Sequence, residues 1–309
     1  MKNKINSTTY GTLLILVTFI SWGITPFYFK SINMVNPFEI LAHRILWSIL
    51  LLFIIIASKK QILKIIETFY SPKTILTLIC TALLISANWF SYIWAVINDH
   101  LTEASFGYFI APIFNIFLGL VFLKEKLTKI EIFSVFITII AIVIQFSEMS
   151  FSGFAPFVPI LLAGTFGFYS LLRKKIHIDS IHGLTIETLL LSPIALIYVA
   201  YLGINQQLYF LSNAKITFLL CLAGIITSIP LITFVAGAKL LTMTKIGFYQ
   251  YISPSLQLLL AMFVFEEKIS EMKLLSFCLV WAAIIIYIGN SLRVLGMKKV
   301  AKRKIANHD

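Results

Sequence analysis

Three ionisable side chains open the second apolar stretch of the chain: Glu39, His43 and Arg44 in NPFEILAHRILWSILLLFIIIA, residues 36–57. A carboxylate, an imidazole and a guanidinium within two helical turns can move a proton, hold an anion or clamp one helix to another. Pro37 suits the first turn of a helix. That places Glu39 at the positive end of the helix dipole, where a carboxylate is favoured, and within i,i+4 reach of His43. At ~1.5 Å per residue, His43 and Arg44 lie roughly 9–10 Å into the helix. Glu39 reads either as an interfacial cap or as a working acid, and His43 and Arg44 either as a polar clamp or as groups that meet a ligand or a proton. Glu187, in IHGLTIETLLLSP, stands 144 residues after His43. It is read as one partner of an interhelical pair or as a second proton-carrying group.

A second set is uncharged. Asn88, Trp89 and Tyr92 follow one another in NWFSYIWAVIND, with Asn88 and Tyr92 on one helical face. Together with Trp22, Tyr108, Asn115, Gln250, Tyr251 and Gln257 they supply the few amides and many rings of a mostly apolar binding cavity. The competing reading is an interfacial aromatic belt with amides bonded across helices. Pro112 and Pro254 each free a backbone carbonyl inside an apolar run, as a gating kink or a static bend. No GxxxxGK(S/T), HExxH, GxSxG or spaced Cys/His pattern occurs. The expectation is therefore no enzyme, no metal and no cofactor. Cys80, Cys221 and Cys278 all fall in apolar runs and read as buried structural thiols.

The elements that must hold these residues are helices in lipid. Of 309 residues, 59% are hydrophobic and 12% charged, and the mean hydropathy is +0.94. A soluble domain carries about twice that charge fraction. Apolar runs near 11–30, 37–57, 74–97, 104–123, 130–147, 154–172, 182–203, 215–238, 245–265 and 272–292 predict ten transmembrane helices. The first run follows a basic start and lacks a small-residue cleavage site, so it reads as a retained helix. Twenty of the 25 Lys and Arg residues fall on the side of the two termini. Four (Lys30, Lys215, Lys268 and Lys273) fall on the other, and Arg44 lies within the second run. That bias predicts a multi-pass membrane protein with both termini cytoplasmic. The net charge of +12 is thus a topology signal beside anionic lipid, and no nucleic acid is expected as a partner.

The chain also matches itself. Laying YFIAPIFNIFLGLVFLKEKL (108–127) over QYISPSLQLLLAMFVFEEKI (250–269) pairs Pro112 with Pro254, Asn115 with Gln257, Glu125 with Glu267 and Lys126 with Lys268, an offset of 142. Two halves, 1–150 and 151–309, then hold five helices each. An odd number turns the second half over in the membrane. Inverted repeats suit secondary transporters, because two equivalent halves can expose a midplane site to either side in turn.

These residues resemble the RarD branch of the EamA family, within the drug/metabolite transporter superfamily. The resemblance runs from about Gly11 to Asn290 and is carried by SWGITPFYFK, FEILAHRILWS, NWFSYIWAVIND, EASFGYFIAPI, IETLLLSP and GFYQYISPSLQ. Ala111 and Lys124 depart from it, standing where members of the branch commonly have Asn and Gly. The resemblance implies a ten-helix inner-membrane permease, a link by name to chloramphenicol sensitivity, and a central cavity among helices one, three, four, six, eight and nine. It implies no particular substrate. The reading is an all-α membrane protein of two inverted five-helix repeats. It is a permease for a small organic metabolite or drug-like amphiphile, working by alternating access. A channel or a non-transporting membrane receptor is the alternative. Its partners are a small-molecule substrate and membrane lipid, with proton coupling or exchange and a homodimer left open.

Overall fold

In hydrocarbon every backbone N–H and C=O must find its partner within the segment, so each apolar run folds as a helix. The computed structural model describes residues 7–97, 100–147, 156–264, 266 and 268–306. Over them run twelve helices: α1 (Ser7–Ser31), α2 (Pro37–Ser58), α3 (Ile62–Phe69), α4 (Pro72–Ile97), α5 (Leu101–Leu123), α6 (Lys129–Phe146), α7 (Phe157–Lys175), α8 (Ser180–Ile204), α9 (Ala214–Ala238), α10 (Met243–Gln250), α11 (Ile252–Phe263) and α12 (Glu271–Ala306). No strand occurs among the described residues. Eight of these helices, α1, α2, α4, α5, α6, α8, α9 and α12, are long and apolar enough to cross a membrane.

The other two expected runs differ for local reasons. α7 ends on Arg173, Lys174 and Lys175, which lowers its apolar length. The ninth run is interrupted between Gln250 and Tyr251, because Pro254 has no N–H to return to the Gln250 carbonyl four residues back. The basic connection after α2 holds a short helix that the apolar periodicity did not single out. α3 presents Ile62, Leu63, Ile66 and Phe69 on its surface beside Lys64, the pattern of a helix lying along a membrane interface.

Helix ends recur at offsets of 142 to 146 residues. Asn36 caps α2 by accepting from Phe38 N at 2.9 Å, and Asp179 caps α8 by accepting from Ile181 N at 2.8 Å. Thr128 caps α6 with a capping box to Glu131, and Ser270 accepts from Lys273 N at 3.1 Å before α12. After α2, Gln61 N bonds Ile56 O and Lys60 N bonds Ala57 O; after α8, Gln207 N bonds Leu202 O and Gln206 N bonds Gly203 O. Both are Schellman stops, with the turning residue left-handed: Lys60 at φ 55° and Gln206 at φ 57°. Lys124, after α5, and Glu266, after α11, are both at φ 53°. Glu267, the sequence partner of Glu125, lies outside the described residues.

Lys124 thus occupies a conformation that favours glycine, the residue that the family resemblance implies there. Lys124→Gly is expected to raise stability by about 0.5–1 kcal/mol, seen as a higher melting temperature in detergent. An unchanged or lower value would mean that Lys124 makes a compensating contact.

α1 packs on α9 and α11; α7 packs on α4 and α5; α2 touches α8 and α9; α4 touches α8; α5 meets α10, and α6 lies along α12. At Gly224 one helix meets another's main chain, since a Cβ there would come within 2.5 Å of the Trp47 carbonyl carbon. There α2 and α9 touch backbone to backbone, and Ser48 Oγ donates to Gly224 O at 3.3 Å. Outward faces carry large apolar side chains such as Phe53, Ile54, Phe136, Ile194 and Ile197, which only lipid can cover on this scale. The chain is a multi-pass membrane protein. Cys80 and Cys278 belong to this outer surface and Cys221 is half-buried, so the expected burial of all three thiols is corrected. In lipid, apolar surroundings do not imply a place inside the bundle.

Candidate functional site

A cavity of about 200 Å³ opens among the helices, lined by α1, α4, α5, α7, α9, α10 and α11, with Arg44 reaching in from α2. It lies between the middle of the bundle and the end at which α1 stops and α2 starts. The first, third, fourth, sixth, eighth and ninth apolar runs all contribute, as the family resemblance implied, and Arg44 adds the second. Trp22, Arg44, Asn88, Trp89, Tyr92, Tyr108, Gln250, Pro254 and Gln257 line it.

The polar groups are held in place from behind. Asn88 Nδ2 donates to Leu162 O at 2.9 Å and Thr165 Oγ1 at 3.1 Å. Gln257 Nε2 donates to Trp22 O at 3.2 Å. Asn115 stands one layer back and donates to Gln250 Oε1 at 2.6 Å. Tyr251 is buried and turned toward α5, where its hydroxyl donates to Phe109 O at 3.0 Å. Pro112 does not line the cavity; its carbonyl packs on α10, where a Cβ on Gly247 would meet it at 2.6 Å.

The three ionisable groups at the start of α2 divide their work. Glu39 accepts from the backbone amides of Tyr209 (2.9 and 3.1 Å) and Phe210 (2.9 Å), pinning the α8–α9 connection. His43 lies 3.8 Å from Glu39, accepts from Trp47 Nε1 at 3.2 Å and packs its ring 4.7 Å from that of Phe210. Only Arg44 turns to the cavity. Its Nε donates to Thr227 Oγ1 at 3.0 Å, and its guanidinium carbon lies 4.8 Å from the Trp89 ring centroid.

Glu187 meets neither His43 nor Arg44. Its partner is Arg173 on α7, with Nε 3.4 Å from Oε1, and Thr81 Oγ1 and Tyr169 OH donate to it at 2.5 and 3.4 Å. The interhelical-pair reading fits this geometry.

The opposite end of the bundle is tied shut. Glu125 accepts from Met243 N at 2.7 Å, Thr244 N at 3.0 Å and Thr244 Oγ1 at 2.7 Å, at the positive start of α10. Lys174 Nζ donates to Ala238 O at 2.6 Å and also to Leu241 O. Ile15, Leu118, Leu241, Met243 and Ile246 are buried in the same apolar cluster.

Thr25, Phe29, Ser105 and Thr227 also line the cavity and were not singled out from sequence. Thr25 and Phe29 lie three and seven residues after Trp22 and so share its face. That spacing was available as a signal. Thr227 and Ser105 are single hydroxyls in apolar runs and offer none.

A profile of the EamA-like transporter family matches residues 9–147. A Vibrio cholerae protein described as an uncharacterized transporter is 38% identical over 92% of this chain and 93% of its own. Protein RarD of Escherichia coli is 37% identical over 92% and 96%. One solved structure, 15% identical, superposes with a TM-score of 0.69 over 89% of this chain and 97% of its own, a likeness of fold alone.

Proposed function

The chain belongs to the RarD branch of the EamA-like transporter family, and from that premise we propose that it is a secondary transporter moving a small organic metabolite across the cytoplasmic membrane by alternating access. The observation that carries this is the cavity itself, walled by helices from both halves of the chain. The proposed architecture is ten spans in two inverted repeats, 1–150 and 151–309, with α10 and α11 forming one broken span. The paired caps and left-handed stops support it, as do helix contacts that map onto themselves when the halves are exchanged. With both termini cytoplasmic, the cavity lies toward the outer face, and the end held by Glu125 and Lys174 is the closed cytoplasmic one.

Transport then requires the halves to exchange shapes, releasing the Glu125 end and closing the other. The cavity is smaller than the ~300–1,000 Å³ that hold drug-sized ligands, which favours a metabolite over a bulky drug. Neither His43 nor Glu187 lines the cavity, so a coupling proton carried by either acts through a helix junction and not on the ligand.

The test is thiol accessibility. Thr25→Cys should label from outside only, and Leu118→Cys from inside only. Bridging the outer end shut should raise labelling of Leu118→Cys. Simultaneous labelling of both positions in one molecule would indicate a channel.

A further inference from the structure

We propose that the transported molecule is a small organic anion, a monocarboxylate with a flat apolar body, whose carboxylate is received by Arg44. This rests on the transporter reading above and names its substrate class. Among the described residues, Arg44 is the only Lys, Arg, Asp or Glu in the cavity lining. Among the described residues it takes part in no ion pair. Glu187 is spent on Arg173, Glu39 on the amides of Tyr209 and Phe210, and Glu103 faces His100 at 3.5 Å. A guanidinium withdrawn from water without a carboxylate is costly, and the fold keeps it so in the wall of a cavity that a ligand can enter.

The protein satisfies Arg44 only in part. Its Nε bond to Thr227 fixes the plane of the guanidinium. Trp89 covers it at 4.8 Å and Phe29 at 5.9 Å, a cation–π arrangement that offsets part of the desolvation and supplies no counter-charge. The two terminal nitrogens donate to no protein group among the described residues. They form the planar fork that matches the two oxygens of a carboxylate. The surrounding walls are rings: Trp22, Phe29, Trp89, Tyr92 and Tyr108. A flat apolar body fits against them, and a cavity of about 200 Å³ limits its size. A cationic substrate is disfavoured by the same charge.

The experiment compares matched probes on the purified full chain in detergent: phenylacetate, 4-hydroxybenzoate and indole-3-acetate against their carboxamides, read as thermal stabilisation. Each carboxylate should half-saturate at a concentration about tenfold or more below that of its amide, the scale of one charge-assisted hydrogen-bonded contact. Arg44→Gln should abolish that preference and Arg44→Lys should retain part of it. If Arg44→Gln does not fold, Thr227→Val, which frees Nε, should weaken carboxylate binding several-fold and leave amide binding unchanged. The proposal is overturned if amides bind as well as acids, if the preference survives in Arg44→Gln or is undiminished in Thr227→Val, or if no carboxylate of the set stabilises the wild type. Failure here with one-sided thiol labelling intact removes only the anion assignment. Two-sided labelling removes the transporter reading whatever binds.

Discussion

Arg173→Gln should be among the most damaging single substitutions in this chain, costing about 3–5 kcal/mol, because it strands a buried carboxylate. Arg173 and Glu187 are both almost fully enclosed, and the pair ties α7 to α8 while Thr81 reaches Glu187 from α4. Arg173 Nη2 also donates to Ser180 O at 3.2 Å. Its guanidinium lies over Gly183, where any side chain would collide with it. Glu187→Gln should be similarly harmful, since it strands the guanidinium instead. The double replacement Arg173→Met with Glu187→Met should recover most of the loss, because an apolar pair of similar volume carries no desolvation cost. Melting temperatures of the two singles and the double settle this. A double variant no more stable than either single would show that the site depends on hydrogen bonds to Thr81, Tyr169 and Ser180 and not on the ion pair.

Glu125→Ala should open the end of the bundle at which α5 stops, the cytoplasmic end on the proposed topology. Three donors converge on this carboxylate from the first turn of α10, and hydrogen bonds to a charged group contribute about 1.5–3 kcal/mol each. Losing them removes stabilisation from the state in which that end is closed. Even a fraction of the sum shifts a two-state balance tenfold per 1.4 kcal/mol. Labelling of Leu118→Cys from the inside should therefore rise about tenfold or more. Glu125→Gln, which keeps one acceptor oxygen, should fall between. Glu39→Ala, which frees the amides of Tyr209 and Phe210 at the outer end, should leave Leu118→Cys labelling no higher than in the parent. A folded Glu125→Ala protein with unchanged labelling would reduce Glu125 to a helix cap with no part in gating.

The membrane helices were legible because lipid imposes one rule along their whole length. Eight of the ten apolar runs meet the length and hydropathy of a span as they stand, and Pro254 marks in sequence the place where the ninth divides. The cavity was legible in kind: Trp22, Asn88, Trp89, Tyr92, Tyr108, Gln250 and Gln257 were grouped by residue type alone, and they line it. What sequence could not resolve was the direction each residue faces. Asn115 and Gln250 carry the same chemistry, and only the packing of α5 on α10 decides which stands in front. Glu39 was read as a cap or a working acid; its partners are amides 170 residues away, in a connection with no motif. Glu187 lies 14 residues from Arg173, but their pairing depends on the turn between α7 and α8 bringing two helices together. α3 escaped notice because eight residues with basic neighbours make too short an apolar pattern to stand out.

The left-handed stops bear on energetics as well as ancestry. Lys60 and Gln206, and Lys124 and Glu266, share a backbone angle to within a few degrees while their side chains differ in charge and length. A conformational exchange that trades the roles of the two ends therefore finds the same stops waiting at each and breaks no net backbone bond. On the proposed alternating-access reading, the two empty states would be near-degenerate as far as the main chain is concerned. Their difference would come down to side chains with no like partner in the other half, such as Glu39 and Arg44, whose positions 144 residues on hold Gly183 and Thr188. A gap of a few kcal/mol is the range in which a minor state stays populated, so on that reading the unloaded protein would reset without an energy input of its own. The direction of net flux is then left to the gradients on either side of the membrane.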